Sequence, residues 1–426
     1  MASLIKLSKK LNKKEEIALI DELLTRSVEE IIPSREALKE ALLSGKKLTI
    51  YIGTDPTGTS LHLGHAKQYM ILESFRKLGH KVIFLIGDFT ARIGDPTDKS
   101  VARKQLTRAE VKKNIKTWLK QVTPIISLKD KKNPVIIKYN HNWLSKLNFE
   151  DIVSLSSNFT VQHMLKRDMF ERRLEEQKPI YLHEFFYPLM QGYDSVAMNI
   201  DMELCGNDQK FNALCGRTLQ RKLNNKEKFV FITTLLANPI TGEKMMSKSL
   251  GTGVFLDTSP TDMFGSVMAQ ADESVPQLFT DCTYVSLKEI DEMKSGVSSG
   301  EINPRDIKVR LAKEIVAIYH GWKEAERAAH QFDSVFKHKE LPSDIKEVTV
   351  SFSSAAITDI LITANFVSSK SESRRLVEYG GVKINGEKIQ DPKKLIVIPK
   401  EGIIIQAGKR KFAKIIRVSK ISLHKV

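Results

Sequence analysis

The chain has 426 residues, room for roughly two to four domains at ~100–200 residues each. Hydrophobic residues make up 41% and charged residues 28%, a globular composition that excludes wholesale disorder. Lys and Arg number 67 against 51 Asp and Glu, a formal charge of +16. On charge alone, a polyanionic partner such as nucleic acid or an anionic membrane surface and a merely solvated basic surface are equally open. Cys205, Cys215 and Cys282 are too few for a disulfide scaffold or a four-cysteine zinc site and read as buried small hydrophobes. There is no apolar run of bilayer-spanning length, and the charged N-terminus lacks a secretory apolar stretch. The expectation is a cytoplasmic enzyme without a dedicated protein metal site.

In chain order, residues 12–45 read as helical, broken at Pro33. Apolar, β-branched runs follow at 47–53, 81–87, 134–140, 200–205 and 229–235, separated by helical patterns such as 64–78 and 151–176. That alternation predicts an α/β fold with a doubly wound, Rossmann-like parallel sheet, whose ligands bind beyond the carboxyl ends of strands. The pattern is helical from Ser259 to about Lys337, including 304–320. From Glu347 it changes to a capped helix and short β-type runs separated by Gly and Pro. The expected division is 1–257 as a catalytic domain, 258–345 as a helical domain and 346–426 as a small α+β domain.

Two segments carry chemistry. The loop from Tyr51 to His65, YIGTDPTGTSLHLGH, leaves a buried strand, turns through Asp-Pro-Thr and enters a helix. A helix start offers unpaired N–H groups and positive potential to phosphate, and His62 and His65 add donors. Gly64 admits a planar group close to the backbone. The second segment, GEKMMSKSLG at 242–251, is a Lys/Ser/Gly loop after the last apolar strand, able to bring positive charge over a triphosphate. Alone, each also reads as an ordinary surface loop. Their order and separation in one chain favour the functional reading.

With these two segments the sequence resembles class I aminoacyl-tRNA synthetases, whose HIGH-type and KMSKS-type motifs match His62–His65 and Met245–Ser249. Met245 stands where the first motif Lys is expected, with Lys244 one residue earlier; Lys248 fits directly. The region 51–103 is similar to bacterial tyrosyl-tRNA synthetases in particular, as are YPLMQGYD at 187–194 and CGNDQKFN at 205–212. The family's Gly-Gly is Cys205-Gly206 here. The resemblance implies catalytic roles for His62, His65, Lys244 and Lys248. It implies tyrosine binding by Tyr51, Thr90, Asp95, Tyr187, Gln191, Asp194 and Gln209. It implies ATP binding by Gly53, Asp55, Thr57, His62, Gly64, His65, Gly206, Asp208 and Lys248. Lys99 and Arg103 are further candidates for phosphate.

The residues support this independently. Tyr187, Gln191 and Asp194 have i, i+4, i+7 spacing and share a helix face, provided Pro188 sits in the first turn. Asp194 can accept a hydrogen bond from a phenol, and Tyr51 can donate one to it. Asp95, Tyr187 and Gln191 can surround an ammonium. Trp118, Trp143 and Trp322 read as core or interface residues. The implied reaction forms tyrosyl-adenylate from tyrosine and ATP, with Mg2+ accompanying ATP, and then esterifies the 3′ end of tRNA(Tyr).

Residues 354–418 resemble the ribosomal-protein-type (alpha-L) RNA-binding domain at the C-terminus of bacterial tyrosyl-tRNA synthetases. Lys370, Arg374 and Arg375 on a helix capped by Ser369 and Glu372 are the candidate RNA contacts, with Lys409, Arg410, Lys411, Lys414 and Arg417 enriching the last strands. By family analogy, 106–180 contributes to a homodimer interface. The rivals are a tryptophanyl-tRNA synthetase, disfavoured by Tyr51 and Asp194, and a non-catalytic RNA-binding relative, disfavoured by His62, His65 and Lys248.

Overall fold

The computed structural model describes residues 12–95, 106–242, 245–246, 253–337, 345–367, 369–399, 401–408 and 411–417. The chain forms two compact units: 1–259 with 266–325, and 260–265 with 326–426.

The first unit is built on a six-stranded sheet: β1 (Val28–Ile32), β2 (Thr49–Thr54), β3 (Lys81–Ile86), β4 (Ile136–Tyr139), β5 (Met202–Gly206) and β6 (Phe229–Thr233). The spatial order is β1-β6-β5-β2-β3-β4. The five strands β2 to β6 run parallel, as their near-continuous apolar sequences predict. Strand order reverses between β2 and β5, so the crevice beyond their carboxyl ends is where such a sheet takes its ligand. Ile50, Val82, Phe84, Met202, Val230, Phe231 and Ile232 are fully buried in it.

Residues 12–45 depart from their helical reading. Helices Lys13–Leu23 and Arg35–Leu43 flank a strand, β1, that pairs antiparallel with β6. Val28-Glu29-Glu30-Ile31-Ile32 is short and β-branched, and the open edge of β6 supplies a ladder that outweighs helix propensity. Just before it, Arg26 donates to the carbonyls of Phe279, Thr280, Thr283 and Val285, satisfying the carboxyl end of helix Val275–Cys282. Buried Lys67 on helix Leu63–Lys77 pairs with buried Asp281 at 3.2 Å. These contacts tie helix Val275–Cys282 and the turn after it to the sheet.

In the second unit, five strands are ordered Glu387–Ile389, Val382–Ile384, Ile403–Ala407, Lys411–Arg417 and Lys346–Val350. The unit also holds a two-stranded ribbon, Ser354–Ala356 with Leu395–Val397, helices Ile357–Thr363 and Lys370–Glu378, and most of helix Trp322–Lys337. Ile357, Ile360, Leu361, Val377, Val382, Ile405 and Ile415 form its core. The Ser369 hydroxyl caps Lys370–Glu378 by accepting the Glu372 N–H at 3.2 Å, and Gly380 follows the helix with φ +67°.

Candidate active site

The first signature sits where the sequence put it, between β2 and helix Leu63–Lys77. His62 is the N-cap: its Nδ1 accepts the Gly64 N–H at 3.2 Å, and His65 Nδ1 accepts the His62 N–H at 3.3 Å. The ring centroids are 3.9 Å apart. With both Nδ1 atoms accepting, a neutral ring carries its proton on Nε2, so each histidine presents an N–H donor. A Cβ on Gly64 would stand 3.0 Å from the His62 ring, so the glycine leaves room for that cap.

The segment beyond the second signature returns to the first. Leu63 N–H bonds Val254 O, Leu256 N–H bonds Leu61 O, and His62 bridges Phe255. On the near side Met245 N–H bonds Leu236 O, and the Met245 side chain is buried. Lys244 and Lys248 lie outside the described residues, as do Lys99 and Arg103.

Two polar networks run over this part of the sheet. The first centres on Asp55 and Asp194. Asp55 accepts from Thr90 Oγ1 at 2.6 Å and from the Tyr187 hydroxyl at 2.8 Å. Asn140 Nδ2 bridges Thr90 Oγ1 at 3.0 Å and Asp194 Oδ2 at 3.3 Å, and Trp143 Nε1 donates to Asp194 Oδ1 at 2.7 Å. Burial pushes the Asp194 carboxyl well above its usual pKa, against the downward pull of the Trp143 and Asn140 hydrogen bonds. A Cβ on Gly87 would lie 1.9 Å from Asp55 Oδ1, so only glycine lets Asp55 meet Thr90.

The second network runs from Asp95 to Tyr51. Asp95 accepts from Gln209 Nε2 at 2.8 Å and Arg167 at 2.9 Å. Asn212 donates to Gln209 Oε1 and Gln191 Oε1, both at 2.9 Å, and Gln191 donates to Glu203 at 2.9 Å. Glu203 pairs with buried Lys228, Lys228 donates to Ser195, and Ser195 lies 3.2 Å from the Tyr51 hydroxyl. Helix Phe186–Met198 carries Tyr187, Gln191 and Asp194 on one face with Pro188 in its first turn, and touches both networks. At the end of β5, a Cβ on Gly206 would come within 2.7 Å of Asp208 Oδ1, while the neighbouring Cys205 is buried. Gly53 and Thr57 are exposed along the same loop as Asp55.

Several residues in these networks escaped the sequence reading: Asn140, Arg167, Ser195, Glu203, Asn212 and Lys228. Trp143 packs against the core, as expected, and also donates to Asp194, which the sequence reading missed. Its signal was faint: a Trp four residues after the end of β4, at the sheet's carboxyl edge. Trp118 is buried, and Trp322 is largely exposed. Asp55, expected at ATP, accepts from Thr90 and Tyr187, both expected at tyrosine.

A family model described as "tRNA synthetases class I (W and Y)" matches residues 43–337. A second, "Tyrosine--tRNA ligase SYY-like C-terminal domain", matches 337–415. The chain is 42% identical over 404 residues to the tyrosine--tRNA ligase of Moorella thermoacetica, covering 94% of this chain and 96% of that one. The chain belongs to the tyrosine–tRNA ligase family. The family's Idiomarina loihiensis member is likewise 42% identical, over 94% and 99% of the two chains. Among solved structures, a C-terminally truncated mitochondrial tyrosyl-tRNA synthetase of Coccidioides posadasii is 26% identical with a TM-score of 0.59, covering 77% of this chain and 94% of that one. The Archaeoglobus fulgidus tyrosyl-tRNA synthetase, solved with L-tyrosine, shares the fold at 19% identity and TM-score 0.58, over 74% and 99%.

Proposed function

We propose that the chain activates L-tyrosine with ATP to tyrosyl-adenylate and transfers the tyrosyl group to the 3′ end of tRNA(Tyr). The observation that carries this reading is buried Asp194, held by Trp143 and Asn140 close to the Asp55 network and the first signature. A buried polar group at that depth discriminates for a substrate with a matching hydroxyl.

Tyr51 and Asp194 face the phenol; Asp95, Tyr187 and Gln191 receive the ammonium; Thr90 and Gln209 support Asp55 and Asp95. Gly53, Asp55, Thr57, Gly64, Gly206 and Asp208 border the nucleotide. The substrate carboxylate is already a nucleophile and needs no general base. It attacks the α-phosphate, and pyrophosphate leaves. His62 and His65, as Nε2–H donors, and Lys244 and Lys248 stabilise the charge developing on the phosphates. Mg2+ enters with ATP. Among the described residues no cluster of three His, Cys, Asp or Glu is arranged to hold a metal.

Residues 258–345 serve as the helical anticodon-side domain and 346–426 as an RNA reader through exposed Lys370, Arg374 and Arg375. Lys370 pairs with Asp359 at 2.9 Å, Lys414 with Glu347 at 3.2 Å, and Lys411 donates to Phe366 O. Arg374 and Arg375 are therefore the more readily available cations of this set. Homodimerisation is supported by a run of exposed apolar side chains, Phe149, Val153, Val161, Leu174, Tyr181 and Leu182. Function in the reducing cytoplasm is supported by three free, buried cysteines. No helix among the described residues is long and apolar enough to cross a membrane. The test is charging of a tRNA(Tyr) transcript with labelled tyrosine: ATP-dependent, alkali-labile label on the RNA is expected, and its absence with folded protein would overturn the reading.

A further inference from the structure

Lys228 is completely buried, yet it contributes nothing to the reaction as described. A buried ammonium is costly unless paired and hydrogen-bonded, so its neighbours show what it is for. Tyr51 on β2 is in register with Glu203 on β5, and Glu203 with Val230 on β6, so Lys228 stands at the head of β6, joined to helix Phe186–Met198 through Ser195. Lys228 Nζ donates to Glu203 Oε2 and, at 2.8 Å, to Ser195 Oγ. It stands 6.0 Å from the centre of the Tyr51 ring.

A second observation shows that the place is built. A Cβ on Gly216, in helix Lys210–Asn224, would lie 2.5 Å from Lys228 Nζ and 2.8 Å from Ser195 Oγ. The glycine leaves the space that the ammonium and the serine hydroxyl occupy. Facing it, a Cβ on Gly192 would lie 3.2 Å from Gly216 N, so the two helices meet closely here.

The donor count gives this arrangement a direction. An ammonium has three donors and no acceptor. Ser195 Oγ must therefore accept from Lys228, which leaves the serine proton to be donated elsewhere. Tyr51 Oη is 3.2 Å away. Glu203, the other acceptor beside the Tyr51 hydroxyl, already takes Gln191 on one oxygen and Lys228 on the other, so when Ser195 donates to Tyr51 the phenolic proton is left for the pocket. Glu203 balances the lysine charge, so the relay adds no net charge to repel the substrate ammonium.

We propose that Lys228, clamped by Glu203, is a positioning residue for substrate selection: it fixes Ser195 as donor to Tyr51, and thereby Tyr51 as donor to the ring oxygen of tyrosine. The proposal rests on the reading of Tyr51 as a pocket residue.

The test compares kcat/KM for tyrosine, phenylalanine and 4-aminophenylalanine in ATP–pyrophosphate exchange. The variants are Ser195→Ala, Gly216→Ala, and Lys228→Met combined with Glu203→Gln, so that neither buried charge is left alone. Tyr51→Phe is the control. Loss of one hydrogen bond of this kind lowers the tyrosine-to-phenylalanine ratio by roughly three- to tenfold. Discrimination against 4-aminophenylalanine, whose ring substituent is itself a donor, relaxes in parallel. A merely structural defect lowers all three substrates together. If Tyr51→Phe lowers the ratio while folded Ser195→Ala and the double variant keep the wild-type ratio, the relay is refuted and the pocket reading stands. If Tyr51→Phe also leaves the ratio unchanged, both fall. Ser195→Ala removes one hydroxyl and keeps the test decisive should the double variant not fold.

Discussion

Trp143→Phe removes one hydrogen-bond donor and little else. The Trp143 ring packs against the cluster of Tyr51, Ile83, Leu85, Met198 and Ile200, where a phenyl ring retains most of the contact. What is lost is the 2.7 Å bond from Nε1 to Asp194 Oδ1. The bond favours the ionised form of Asp194, for which a hydrogen bond is worth about 1.5–3 kcal/mol, and Asp194 is only 3% exposed, so water does not replace the donor. If that stabilisation is used in the transition state, kcat/KM for tyrosine falls by roughly ten- to a hundredfold. The sign with pH follows from the same bond. It lowers the Asp194 pKa against burial, so its removal raises that pKa further. The deficit is then largest at low pH and shrinks as pH rises and the carboxylate ionises. Tyrosine-dependent pyrophosphate exchange across pH, with thermal unfolding as the folding control, reads both effects. A folded variant with unchanged kcat/KM and an unchanged pH profile refutes the role given to Asp194.

Three further outcomes are expected. Buried His80 accepts the Leu48 N–H, and burial followed by the nearby Lys47 charge depresses its pKa to about 4. Because the folded value lies below the ordinary ~6.5, the fold is favoured above pH 6.5 and loses up to about 3 kcal/mol as pH falls towards 4; an unfolding series in which His80→Gln keeps the same pH slope would contradict this. Lys248→Ala should slow adenylate formation more than it weakens tyrosine binding in pre-steady-state measurements, and Lys244→Ala shows whether the displaced lysine is used: near-normal adenylation excludes it. Truncation near Lys346, or the triple change Lys370→Ala, Arg374→Ala, Arg375→Ala, should spare pyrophosphate exchange but weaken tRNA binding with a shallower salt dependence, and full charging at low tRNA concentration would count against an RNA-reading tail.

The parallel strands were legible because burial on both faces writes them as continuous apolar runs, and Pro304–His320 because Pro and Gly321 punctuate it. β1 was not, because its pairing partner lies about 200 residues away and a short edge strand carries no periodicity of its own. In the candidate site, compact motifs made placement legible: His62 and His65 at a helix start, and Tyr187, Gln191 and Asp194 on one helix face. Asn140, Trp143, Arg167 and Lys228 were not, because each joins these networks from a separate element through tertiary contact. Local spacing cannot reveal an ammonium whose place is cleared by a glycine in another helix.

Selection and activation of tyrosine are both read by ATP–pyrophosphate exchange with the purified protein. Exchange should depend on L-tyrosine, with phenylalanine and tryptophan each supporting less than about a thousandth of that rate at equal concentration, as a site with buried partners for a ring hydroxyl demands. Exchange supported equally by tryptophan, or no exchange with any amino acid from a folded protein that binds ATP, would contradict it.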